Sequence, residues 1–434
     1  MVNSASMKKT IKNISLVYCW GNKNLGDKAI TPGTIRFLKQ VYPDSNLFVL
    51  SVFEKDCENY KESEDYICGK FCDVNFVPQP LIFINEKRMR NSTKKCWAVL
   101  NAFIGMVALC MPKLFNRLFK GNAGFDTLIK SDLIIYNGGV LFFHNKTNSR
   151  RKLILFRLMF PFLLAKRLKI RHAFYGQTYG PFKGISKIFY KWFFSSAELI
   201  TTRESQSRQI LNEIGVKKTK VENVIDGSFW LDGGNCKNTG ILLNHGLANQ
   251  KFIAVILRAS TIGQIGVISE DKAKEYGAFF TGYLSEINKR TGFKIAIVLQ
   301  VKETDQKISE NVYEYLGKKA VYIDDLQEPE ELIALYSHAE FVVSMRLHSI
   351  IFALLTNTPS LALYYKSITH KTSGIMQDLK LEDYVFDIDE VSRELLVDRS
   401  LELIRNKDYL SQKIEETVMA LRNSTLEVFK KRLA

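Results

Sequence analysis

The sequence predicts an α/β protein of two doubly wound, parallel-sheet domains that face one another across a cleft. Three observations predict it. Apolar runs of strand length alternate with helix-length segments along most of the chain, the signature of right-handed βαβ units covered on both faces. A chain of 434 residues exceeds what one ordinary core holds. A polar patch, LDGGNCKNTG at 231–240, interrupts the alternation near the middle, as a connection between domains does.

In order, ISLVYCW (14–20) reads as the first strand and ITPGTIRFLKQVY as the helix after it. NLFVLSV (46–52), SDLIIYNGG (131–139), HAFYGQ (172–177) and ELITTR (198–203) continue the first sheet, and KVENVIDG (220–227) closes it. The second sheet takes KFIAVILR (251–258), FKIAIVLQ (293–300), KAVYIDD (319–325), AEFVVS (339–344) and PSLALYY (359–365). The expected division is an N-terminal α/β domain at 10–232, a C-terminal α/β domain at 241–390, and helices at 391–434 packing back toward the first domain. Both domains would then be Rossmann-like.

Composition narrows the class. Hydrophobic content of 46% and a mean hydropathy of −0.08 describe a globular chain and exclude a disordered one. The seven cysteines show no CxxC spacing, so neither a disulfide framework nor a zinc site is indicated, and a reducing, cytoplasmic setting is expected. The opening MVNSASMKKTIKN is polar and leads into a strand, unlike an export signal. CWAVLNAFIGMVALCM (96–111) falls short of a membrane span. A net charge of +16 calls for an anionic partner. Basic residues flank apolar runs at 87–120 and 150–172, readable as core helices with solvated ends or as a surface resting on the inner face of an anionic membrane. They interleave with helical apolar positions and form no aromatic stacking platform, so nucleic acid is not an expected partner.

Ligands of open parallel sheets bind beyond the carboxyl ends of the strands, and unusual polar residues gather at those ends here. Asn24, Gly26 and Asp27 follow the first strand, and Asn137, Gly138 and Gly139 follow the strand at 131. Gln177 and Gly180 lie in GQTYGPF; Arg203, Asp226 and Arg258 end further strands. Gly138 and Gly139 could equally make a tight turn, Asp27 an N-cap, and Arg258 a solvated strand end.

In FVVSMRLHSIIFALL (341–355) the strand stops at Ser344 and a buried helix follows, with Arg346, Leu347 and His348 at its first turn. Unpaired N–H groups and the helix dipole make an anion site there. An arginine at that end opposes the dipole unless an anion is present, and its guanidinium grips carboxylate or phosphate with two prongs. Arg203 stands at a matching strand end, before a helix expected from about Ser205. If the domains face each other, Arg203 and Arg346 could divide one dianion, a small molecule bearing both phosphate and carboxylate.

These residues, in this order, resemble the polysaccharide pyruvyl transferase family. The resemblance rests on NLGD, YNGG, GQTYGP, TTRES, VIDGS, SMRLHSI and the KxxG of Lys371 to Gly374, and spans roughly residues 15–385. It implies a GT-B-like fold, phosphoenolpyruvate as donor and no further cofactor, and a cyclic pyruvate ketal on a sugar as product. Carried over by position, it implies that Arg203, Arg346, Leu347 and His348 bind the donor, with His348 the catalytic acid. Lys371 matches a basic position that Lys366 could also fill. Arg258 joins the donor residues, Asp27 is the expected base with Asp226 behind it, and the remaining strand-end residues line the acceptor side. The chain departs from relatives after YNGG, where it runs on into VLFFH.

That chemistry suits the residues. Protonation of the donor's methylene carbon needs a general acid, and arginines stabilise a departing phosphate. No carboxylate cluster for a divalent ion is apparent, so metal independence is expected. Donor, lipid-diphosphate carrier and inner leaflet are all anionic, which gives the excess charge a use. A GT-B-type glycosyltransferase using a nucleotide sugar is the competing reading; the second half offers no clear acid for a ribose.

Overall fold

The computed structural model describes residues 11–21, 23–80, 100, 103–118, 121–143, 149–232, 240–258, 270–367 and 369–433. Two parallel sheets organise them. The first contains β1 (Asn13–Cys19), β2 (Asn46–Ser51), β3 (Val74–Val77), β4 (Leu133–Tyr136), β5 (Gly139–Phe142), β6 (Arg171–Tyr179), β7 (Leu199–Thr202) and β8 (Val221–Asn223). Their order is β3-β2-β1-β4-β6-β7-β8, with β5 paired to β6 beyond the main path. The second contains β9 (Phe252–Ile256), β10 (Lys294–Val298), β11 (Ala320–Ile323), β12 (Val342–Ser344), β13 (Ser360–Tyr364) and β14 (Val385–Asp387), ordered β11-β10-β9-β12-β13-β14.

Every paired strand in both sheets is parallel. The central strands are buried on both faces: β9 reads FIAVI and β4 reads LIIY, with each residue interior. Strand order reverses between β1 and β4 in one sheet and between β9 and β12 in the other. Crevices at such reversals are where doubly wound sheets take ligands.

Three strands escape the sequence pattern. β3 and β14 are short and carry polar residues such as Asn75 and Asp387. β5 begins at Gly139, which the sequence reading placed in the turn after β4. The first helix, Leu25–Val41, starts earlier than ITPGTIRF suggests, because Asn24 caps it: its side chain accepts from the Gly26 N–H. Residues 233–239 of the expected connection at 231–240 lie outside the described residues, as do 96–99, 101 and 102 of the apolar run at 96–111.

The helix Arg393–Arg405 packs on the second domain, where Tyr283 Oη and Ser400 Oγ lie 2.6 Å apart. The helix Lys407–Arg432 then crosses to the first domain. Lys407 Nζ donates to Glu340 of the second domain at 3.0 Å, while Phe429 packs edge-on against Phe37 of the first. Thr425 Oγ1 accepts the Ile225 N–H at 3.1 Å. One hydrophobic cluster consequently runs from Leu16 and Phe37 through Ile414 and Val418 to Ile351 and Leu361. Among the described residues no helix is long and apolar enough to cross a membrane.

Candidate active site

The carboxyl ends of the two sheets face each other, and contact begins at Gly26. A Cβ on this residue would stand 2.3 Å from His348 Nδ1 and 2.7 Å from its Cβ. Only a glycine lets the first turn of Leu25–Val41 meet the first turn of Leu347–Leu355, so two helix N-termini share one space. Both present N–H groups with partial positive charge. A polar chain locks this approach: Tyr336 Oη donates to Ser349 Oγ at 3.1 Å, Ser349 to Gln300 Oε1 at 2.6 Å, and Gln300 Nε2 to Asn24 Oδ1 at 2.9 Å. Asn24 Nδ2 in turn donates to Asp27 at 2.9 Å. Lys28 reaches the Gln327 carbonyl across the same seam.

Arg203, just past β7, is buried. Its Nε donates to Thr178 Oγ1 at 2.8 Å and its Nη1 to Asp226 at 2.7 Å. Arg346 caps Leu347–Leu355 and is also buried. Its Nε donates to Asp305 Oδ2 at 3.1 Å, and its Nη2 bonds both Asp305 Oδ1 and Thr304. This corrects the sequence argument. Arginine at that helix start does not depend on a visiting anion, because Asp305 supplies a resident one. Asp226 likewise holds Arg203 and caps the turn Gly227–Trp230, so its carboxylate is engaged in positioning a cation. Burial alone would raise its pKa, but Arg203 and His348 together bring it below the usual carboxylate value.

Two further basic groups join. Lys371 opens the helix Lys371–Asp378; its ammonium is lowered to about 7 by burial and by Arg203, Arg258 and Arg346, against the opposing pull of Asp27. Arg258, after β9, is lowered to about 10 by burial and by Arg346, with Asp305 and Tyr365 opposing. Lys366 instead faces Glu390 at 3.7 Å, largely exposed, so the register ambiguity resolves toward Lys371. His348 falls to about 4: burial outweighs the carboxylates of Asp226 and Asp27, and Arg203 and Lys371 add to the fall. Its Nε2 is buried without a hydrogen-bond partner among the described residues. Arg203, Arg258, Arg346, Lys371, His348, Asp27 and Asp226 therefore act on one another in one region fed by both sheets.

Other predicted residues stand behind that region. Leu347 is part of the hydrophobic core, so only its backbone N–H can serve an anion; its side chain is not a donor contact. Asn137 is spent inside the first domain, accepting from Thr34 at 2.9 Å and donating to Thr31 at 2.9 Å. Gln177 is an interior residue of β6, donating to the Asn137 carbonyl. Gly138 lets the Gly176 carbonyl pass 3.2 Å from where its Cβ would be. Gly139 and Gly180 take φ of 137° and 76°, a region that favours glycine. For Asn137, Gln177, Gly138 and Gly180 the neighbours are residues of the first domain.

Sequence reasoning missed Asp305, Thr304 and Gln300. Gln300 ends the run FKIAIVLQ and the strand-end rule could have found it. Asp305 lies in the first turn of Lys302–Leu316 and carried no signal except its strand-to-helix position. Among the described residues no group of three His, Cys, Asp or Glu could hold a metal ion.

A model of the polysaccharide pyruvyl transferase family matches residues 24–367. The amylovoran biosynthesis protein AmsJ of Erwinia amylovora is 22% identical over 423 residues, covering 91% of this chain and 92% of its own length. The solved UDP-GlcNAc 2-epimerase of Neisseria meningitidis bound to UDP-GlcNAc aligns with a TM-score of 0.58 at 12% identity, over 97% of this chain and 99% of that one. Anabaena Alr3699/HepE in complex with UDP aligns at 0.54 with 10% identity, over 97% and 98%. At such identity these structures speak for the fold alone, a two-domain GT-B-like arrangement.

Proposed function

Because this chain belongs to the polysaccharide pyruvyl transferase family, we propose that it moves the pyruvyl group of phosphoenolpyruvate onto a sugar of a surface polysaccharide or its lipid-diphosphate-linked precursor. The product is a cyclic pyruvate ketal, and phosphate is released. The work is done in the cytoplasm, at the inner face of the membrane when the acceptor is lipid-linked. The relationship to an amylovoran biosynthesis protein supports a polysaccharide acceptor.

In the proposed reaction His348 gives a proton to the methylene carbon of the donor, leaving an oxocarbenium-like centre at C2. A sugar hydroxyl attacks C2 while Asp27 takes its proton. The C–O bond to phosphate then breaks, the electron pair leaving with phosphate, and a second hydroxyl closes the ketal with loss of its own proton. Arg203, Arg346, Arg258 and Lys371 would hold carboxylate and phosphate, with the two helix N-termini beneath them.

The observation that carries this reading is the imidazole of His348, its Nε2 buried without a partner among the described residues, set among cations from both domains. An empty site keeps it neutral at pH 7; a bound dianion restores its proton, so the acid is ready only with donor present. Purified protein given phosphoenolpyruvate and a galactoside or N-acetylhexosamine acceptor should release phosphate and enlarge the sugar by a pyruvyl group. His348→Ala should lower that turnover by ~10²–10⁴-fold with the circular dichroism spectrum unchanged. Turnover that requires a nucleotide sugar instead would favour a glycosyltransferase.

A further inference from the structure

We propose that the helix Ile185–Phe194 docks the first domain onto an anionic lipid bilayer, its outward apolar stripe entering the boundary between headgroups and acyl chains. Ile185, Ile188, Phe189 and Trp192 recur at the spacing of one helix face, and that face is turned to solvent. Ile185 is 85% exposed and Ile188 71%. The opposite face is already satisfied: Tyr190, Phe193 and Phe194 are buried, and the Phe193 ring lies 3.9 Å from that of Phe162. The helix is thus apolar on two sides, with one covered by protein and one uncovered. Folding of the domain does not explain the second.

Charge identifies the occupant. Lys183, Lys187 and Lys191 are exposed beside the stripe, and the Lys166 ammonium sits 3.8 Å over the Trp192 ring. From Leu133 to Ala197 the chain carries twelve lysines and arginines and no aspartate or glutamate. A second copy of this surface would repel it. An anionic bilayer answers both features, taking the apolar side chains into its interface while lysines meet its headgroups. Phe103, Met106, Met111 and Leu114 are exposed too; Ala108 and Phe115 of that stretch share a core cluster with Phe193, so these residues cover the same sheet face. In the run at 150–172, Phe160, Phe162 and Leu164 point into the core, in keeping with the core-helix alternative of its sequence reading.

The purpose of docking rests on the lipid-linked acceptor proposed above; the binding itself does not. The test is co-sedimentation of the full chain with phosphatidylcholine vesicles with and without phosphatidylglycerol. Binding is expected only with the anionic lipid and should fade with salt. Ile188→Glu should weaken it about tenfold or more, and Lys187→Gln with Lys191→Gln should remove most of the salt-sensitive part. Both variants should release phosphate from phosphoenolpyruvate with a soluble acceptor at the wild-type rate, which separates this inference from the reaction. A wild type that ignores anionic vesicles overturns the proposal, as does an Ile188→Glu variant that binds them equally. A wild-type dimer in sedimentation velocity that Ile188→Glu splits would give the face to a second copy and overturn it too.

Discussion

His348 is an imidazole held at about 4 by burial that its carboxylate neighbours do not offset. The unfolded chain binds this proton near the ordinary value of about 6.5. Its contribution to stability is therefore full above pH 6.5, declines as the unfolded state gains the proton, and is gone once the pH has fallen through about 4. The loss is on the order of 3 kcal/mol. His348→Gln, which cannot titrate, should lose less stability between pH 7 and 4.5 than wild type in urea unfolding. Equal losses would show that the ring is hydrated in solution. Of these residues, the sequence made Arg346 and His348 conspicuous because charge between two apolar runs needs a reason. It hid Asp305, which meets Arg346 from 41 positions away; no local pattern announces a partner supplied by a different helix.

At the scale of elements, two helix starts carry the site, and each offers a variant. Gly26→Ala would bring a methyl group against the Cβ and Nδ1 of His348. The Cβ cannot swing aside, so the two helix starts must part. A misplacement of about 1 Å costs on the order of 10²-fold in rate, and kcat should fall by roughly that while the protein stays folded; an unchanged kcat would argue against a shared site. Asp305→Asn leaves the Arg346 guanidinium buried without its countercharge. Breaking such a pair costs ~3–5 kcal/mol, so the urea midpoint should drop sharply and excess inorganic phosphate should restore part of it. Strand β12 and its helix were readable because a continuous apolar run ends in a polar break. β3, β5 and β14 were not, because short strands carrying glycine or polar residues have neither alternation nor an apolar run.

For the molecule as a whole, the decisive element is the 26-residue helix Lys407–Arg432, roughly 39 Å long at 1.5 Å per residue. Sequence periodicity shows a helix there and nothing of where it lies, since the same apolar face could cover either domain. It covers both, and Phe429 fixes its far end between Phe37 and Tyr175. Phe429→Ala empties a fully buried position at a cost of ~3–5 kcal/mol. In urea the first domain should then melt before the second. A single transition at the wild-type midpoint would mean that the helix adds nothing to the joint.

The meeting of Gly26 with His348 ties proton supply to the joint between the halves. If His348 is the acid of the proposed reaction, whatever spreads that joint wets the ring and returns its basicity toward that of free imidazole. Dryness at one glycine would then decide whether the imidazole waits uncharged for its donor.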